Sequence, residues 1–455
     1  MTGRRRLGLT LLGGLLGVVG TASAHGAGLA GASGRSLNVP TWLFLLTGGG
    51  VIGASFLLAS FVTDRAFIRR IHRWRRNLAV PAARVLVGAG RLLGIAGLLF
   101  VLAVGFIGPQ ESLYNAAILV VWAGWWSGYA MTTYLVGNTW PVLNPWRSIA
   151  LALPSLERSY PDRLDAWPSV AGLLALIWLE VVSPVADQPR FLASVVAGYT
   201  VVTLVGAFVF GEETWFGTVD PVSRVFRYFG RVAPLYADDG ISVRLPGAGL
   251  SEVKLVDSRG EVGFVVAVLW VTTYDGLVAT PLWRRYAVAI VEGGVPPNLL
   301  YAAALLAGYL LFLGIYRAAT RASKRRARTY VPVERLAYRF APPLVAIAAG
   351  YHVAHFLGYF LELSPTLLGT LTAPLSPPDP TALVLPAWFG ALELSFVILG
   401  HLLAIWVAHA AAYDIFPGKL QAIRSQYATT AAMVCYTIVS LWIVSQPYAV
   451  PPYVS

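Results

Sequence analysis

Four ionisable side chains in apolar surroundings carry the chemistry available to this sequence. His352 and His355 lie in "GYHVAHFLGYFLEL" (350–363), Asp275 in "VTTYDGLVATPLW" (271–283) and Glu393 in "WFGALELSFVILG" (388–400). Each stretch is apolar enough to cross a bilayer. An ionisable group there costs about 3 kcal/mol or more unless it faces the protein interior and finds a partner. Residues three apart share a helix face, so both imidazoles can address one point. Two neutral imidazoles with one or two carboxylates suit a divalent transition metal such as zinc, copper or iron. Such a metal would turn a bound water into a nucleophile, with Asp275 or Glu393 as general base. The plainer expectation is a local partner for each group. A histidine can bond a neighbouring carbonyl or a tyrosine hydroxyl, with Tyr351 and Tyr359 near, and Asp275 can cap a helix broken at Gly276.

The elements that must position these groups follow from composition. Of 455 residues, 57% are hydrophobic and 12% charged, too little charge to cover a water-soluble surface. The expected fold class is all-α, a polytopic transmembrane helix bundle of about ten spans. Apolar segments fall near 40–62, 84–107, 115–137, 169–186, 191–210, 262–283, 298–317, 341–361, 385–408 and 428–446. The net charge of +12 is confined to short connections, which argues for membrane orientation and against nucleic acid. Basic clusters lie at 65–76, 224–259 and 321–328; the alternate connections hold only Arg35, Arg190, Arg284 and Arg285. Every second loop is therefore expected inside, with both mature termini outside and the chain in the cell membrane. A single cysteine, Cys435, excludes an intrachain disulfide.

Residues 1–24 combine Arg4–Arg6, a short apolar core and Ala22-Ser23-Ala24, the pattern of a cleavable signal peptide. The mature chain, 25–455, would be one ten-span domain with a cytoplasmic loop at 211–261. It would begin at His25, whose amino group and imidazole could chelate copper. Within the loop, "DDGISVRLPGAGLSEVKLVDSRG" (238–260) suggests a small hairpin. "GNTWPVLNPWR" (137–147) reads as an aromatic anchor and turn at the interface. "TAPLSPPDP" (372–380) reads as a Pro-rich connection or lid.

Given rise per residue, His352 falls near the midplane and His355 about 4.5 Å further out. Glu393 enters its span by roughly 12 Å, and Asp275 stands at a similar height. Four candidate ligands from three helices thus share a layer. Glu180 and His401 could relay protons or orient ligands, and His409 is expected at the interface.

Several stretches carry a family resemblance: "ASAHG" (22–26), "VPTWLFLL" (39–46), "GNTWPVLNPWR", "YDGLVATPLW" (274–283), "GYHVAHFLGY" (350–359) and "SQYATTAAMVCYTIVSLWIVSQP" (425–447). The chain resembles the fenitrothion hydrolase family of bacterial and archaeal polytopic membrane proteins. The resemblance implies hydrolysis of organophosphate triesters, and a lipophilic substrate could arrive from the bilayer. Two other functions fit the residues. One is a metal-ion or proton-coupled transporter, for which glycine-broken helices at "LLTGGGVIGA" (45–54) and "YDGLVATP" (274–281) would be the mark. The other is a non-catalytic copper-binding membrane subunit built around His25.

Overall fold

The computed structural model describes residues 41–78, 83–238, 240–447 and 449–454. The expected signal peptide and His25 lie outside these residues.

Each of the ten apolar segments is largely helical over its described residues. Helix α1 (Thr41–Phe61) is followed by α2 (Arg65–Arg73), which turns away by 114°. Asp64 makes the turn, its carboxylate accepting the Ala66 and Phe67 N–H groups of the new helix. After strand β1 (Arg75–Leu78) come α3 (Ala83–Ile107) and α4. The latter is one rod with three parts: α-helical Ala116–Leu119, π-helical Val120–Tyr129 and α-helical Ala130–Leu135. Then follow α5 (Trp167–Val182), α6 (Pro189–Phe210), α7 (Pro221–Phe229), β2 (Leu235–Asp238) and β3 (Gly240–Arg244). The chain ends with α8 (Arg259–Val278), α9 (Pro281–Glu292), α10 (Pro297–Ala327), α11 (Val333–Phe340), α12 (Pro342–Thr372), α13 (Phe389–Ile415) and α14 (Lys419–Val444).

Among the described residues, six helical stretches are long and apolar enough to cross a membrane, or seven if α1 and α2 count as one bent span. Their surroundings differ. On α8, an unbroken run from Gly260 to Val271 is buried, and a helix apolar all round belongs in the centre of a bundle. It packs against α5, α10 and α12. By contrast α3, α6 and α10 leave Leu92, Leu93, Val201, Val202, Leu310 and Leu311 exposed. Contiguous apolar surface of that kind needs lipid to cover it.

A hairpin lies at 235–244, as β2 and β3, earlier than the 238–260 stretch expected to form it; β1 joins it in a three-stranded antiparallel sheet of order β1-β3-β2. A buried ion pair ties α7 to the first turn of α8, Arg224 Nη2 to Glu261 Oε1 at 2.9 Å.

Neither glycine cluster expected to break a helix does so. α1 runs through Gly48–Gly50 and α8 through Gly276. Gly48 and Gly276 allow close approach instead. A Cβ on Gly48 would collide with Leu441 of α14, and one on Gly276 with the Tyr351 hydroxyl of α12. Small residues serve the same purpose wherever membrane helices cross tightly.

Candidate functional site

The long helix α12 carries the site, and two neighbours hold it. α13 crosses it where Gly350 meets Gly400: a Cβ on Gly350 would lie 2.6 Å from the Phe396 carbonyl. α8 approaches on another side through Gly276. These close crossings bring Asp275 to His355, with Nε2 to Oδ2 at 3.2 Å. The side chains are 10% and 34% exposed, so the pair is buried at its acid end and open at its imidazole end. Tyr351 stacks on the His355 ring at 6.0 Å and Phe356 meets it edge-on at 4.8 Å.

The other two residues of the expected layer are turned elsewhere. His352 is buried, and its Nδ1 meets the Tyr134 hydroxyl at 2.9 Å. Its ring sits among Trp126, Tyr134, Phe229 and Phe356. The Trp126 main chain interacts with the ring, but no partner meets hydrogen-bond geometry at Nε2. Glu393 lies against Gly358, one turn beyond His355; a Cβ there would stand 2.7 Å from Glu393 Oε1. Among the described residues, no three His, Cys, Asp or Glu side chains gather as a metal ion would require. The layer is thus divided into an ion pair, a caged histidine and a carboxylate at the α12–α13 crossing.

His401 is separate as well. Its Nδ1 meets the Val397 carbonyl of its own helix at 2.8 Å. His409 is fully buried within the protein, held between the Val62 carbonyl and Gln426. Aromatic packing and a carbonyl left unsatisfied at the end of α1 account for its position.

The histidines belong to a longer pattern. His352, His355, Tyr359, Glu362 and Thr366 follow one another at spacings of three and four on α12, so they form one stripe along the helix. Tyr359 lies within electrostatic reach of Glu180 and Asp187. Thr366 closes the stripe: its hydroxyl donates to the Thr381 carbonyl at 2.7 Å and accepts the Thr381 N–H at 2.9 Å. The Leu383 N–H reaches the Glu362 main-chain carbonyl at 3.0 Å. The segment just after the Pro-rich connection, 381–383, is thus tied to this end of α12. Glu362 went unnoticed among the sequence candidates, although its heptad offset from His355 was a usable signal.

Beside the stripe, a cavity of about 150 Å³ is lined by Trp122, Trp125 and Trp126 of the π-helical segment, with Trp146, Glu180 and Tyr199. The Trp122 indole N–H is buried without a hydrogen-bond partner. Trp126 both lines this cavity and touches the His352 ring. A π-helical stretch widens the turn and re-aims its side chains, and such stretches recur at functional sites. No family model, curated protein or solved structure matches the chain.

Proposed function

We propose that the protein is a ten-span membrane transporter that couples its work to protons, with His355 and Asp275 as the protonatable pair. The carrying observation is their 3.2 Å contact, which joins Asp275 of α8 to the stripe from His352 to Thr366 on α12. Chains of His, Asp, Glu and Tyr within membrane helices are the usual substance of proton relays. The physical reason is that an imidazole and a carboxylate in contact share one counter-charge, with the acid buried and the imidazole accessible. Any bound cation or proton is therefore coupled to the state of the pair. In this reading the basic clusters face the cytoplasm, both mature termini lie outside, and the stripe runs outward from the midplane. Continuous helices at Gly48 and Gly276 remove the broken-helix argument for transport, so the reading rests on the His355–Asp275 contact and the stripe.

Purified protein in vesicles, with a trapped pH-sensitive dye and an imposed potassium diffusion potential, tests this. Wild type should move protons and Asp275→Asn should not. Vesicles as tight as protein-free ones at either polarity would refute it, as would an Asp275→Asn variant as active as wild type.

The Trp-lined cavity beside His352 favours a second reading, hydrolysis of a lipophilic ester, in keeping with the fenitrothion hydrolase resemblance. A zinc, copper or iron ion would then sit on His355 and Asp275. Further donors would come from Glu393 and from His352 after rotation off Tyr134. Turnover of an aryl phosphotriester, with stoichiometric metal lost in a His352→Ala/His355→Ala variant, would select this reading.

A further inference from the structure

A different cluster of charge lies where α2, the β-sheet and the end of α13 meet. They enclose a cavity of about 460 Å³, lined by Arg69, His72, Arg73, Arg75 and Arg244, with Glu252 and Asp414 as its acids. The arginines are poorly compensated. Arg75 and Arg244 are direct partners in the antiparallel β1–β3 pairing. Directly opposed residues project from the same face, and like charges there repel.

Both acids are wholly or partly engaged by arginines outside the cavity lining. Glu252 binds Arg244 at 2.6 Å with one oxygen, but its second oxygen holds Arg231 at 2.5 Å. Asp414 is held by Arg339 at 3.3 Å. Arg69, Arg73 and Arg75 make no ion pair with any described residue. Two of the cavity-lining residues have a buried nitrogen without a hydrogen-bond partner, His72 Nε2 and Arg244 Nε. His72 is fixed in place by Ser251 at Nδ1 and by stacking on Trp406.

We propose that this cavity binds a phosphate group. Guanidinium groups match phosphate oxygens in pairs. A dianion or monoanion between Arg73, Arg75 and Arg244 would convert repulsion across the strands into attraction. The volume falls in the range of about 300–1,000 Å³ typical of small-molecule sites, so it admits a phosphate with a substituent. The chemistry is shared by a phospholipid headgroup and a soluble phosphate ester. The bend into α2 and the exposed Phe67 and Trp74 beside it favour the headgroup, because such helices lie in the membrane interface. This inference is independent of the proton-coupling proposal.

The test is titration of detergent-purified protein with phosphatidylglycerol and phosphatidylcholine, followed by native mass spectrometry. A parallel series adds inorganic phosphate and follows the melting temperature. Phosphatidylglycerol should bind about tenfold or more tighter than phosphatidylcholine, and Arg73→Gln/Arg75→Gln should abolish the difference. Arg321→Gln/Lys324→Gln, at another basic cavity, should retain it. Arg69→Gln, at an exposed position, provides a milder variant if the double one fails to fold, and should weaken binding in the same direction. Competition by inorganic phosphate would identify a soluble ester as the occupant; lipid binding without competition would identify the headgroup. Equal binding of both lipids with no effect of phosphate would overturn the proposal, as would wild-type binding in the variants.

Discussion

Gly350 and Gly400 face each other across α12 and α13, so closely that a Cβ on Gly400 would stand 2.9 Å from the Gly350 Cα and 2.6 Å from the Ala346 carbonyl. Main-chain atoms cannot swing aside as a side-chain end can. Gly400→Ala is expected to lower stability by about 1–3 kcal/mol and to push α13 off α12, moving Glu393 away from Gly358. Gly53→Ala on α1, where an added Cβ meets nothing, should be neutral or slightly stabilising. Unfolding of the two variants in the same detergent compares them directly; equal stabilities would contradict the close crossing.

The Tyr134 hydroxyl is the hydrogen-bond partner of His352 Nδ1. In Tyr134→Phe the imidazole would keep its aromatic cage and lose that bond, leaving a buried polar ring short of partners. The expected loss is about 1–3 kcal/mol, read as a lowered melting temperature. An unchanged melting temperature would mean that the hydroxyl contributes nothing there.

How far the sequence foretold this arrangement depended on the coordinate in question. Position along a helix was legible, because rise per residue is fixed, and it rightly put Asp275 at the height of His355. Rotation about each helix axis was not legible. His352 and His355 share a face, yet the first turns to Tyr134 and the second to Asp275. Glycine was ambiguous for a similar reason. Gly276 is compatible with a break or with a close neighbour, and only the position of Tyr351 distinguishes them. Strand β1 was missed because "RRNL" (75–78) is exposed along its length and has no alternation to betray a strand. Its pairing with β3 is a long-range event. The π-helical widening of α4 has no signal in the run of apolar and aromatic residues that forms it.

Arg224 and Glu261 are the most deeply buried ion pair among the described residues, with side chains 2% and 10% exposed. Glu261 also accepts the Asp257 N–H at 2.9 Å. Removing one charge leaves the other buried without its counter-ion. Glu261→Gln should therefore cost about 3–5 kcal/mol, whereas Arg259→Ala, which breaks the exposed pair with Glu334, should leave stability unchanged within error. Chemical denaturation of both variants checks the contrast, and a mild Glu261→Gln would show the pair to be solvated.

His72 gives a pH dependence with a definite sign. Burial holds its imidazole below the ordinary value of 6.5; Asp414 opposes that shift and His409 reinforces it. The folded protein therefore favours the neutral ring more than the unfolded chain does. Above pH 6.5 both states are mainly neutral and the contribution to stability is complete. As pH falls below 6.5 the unfolded chain takes up the proton first, so stability is lost until folded His72 is itself protonated. Melting temperatures from pH 8 to pH 5, in phosphate-free detergent, should fall less steeply for His72→Gln than for wild type. Other histidines titrate in the same range, so the difference between the two curves is the readout. Parallel curves would mean that His72 is as easily protonated in the folded protein as in water.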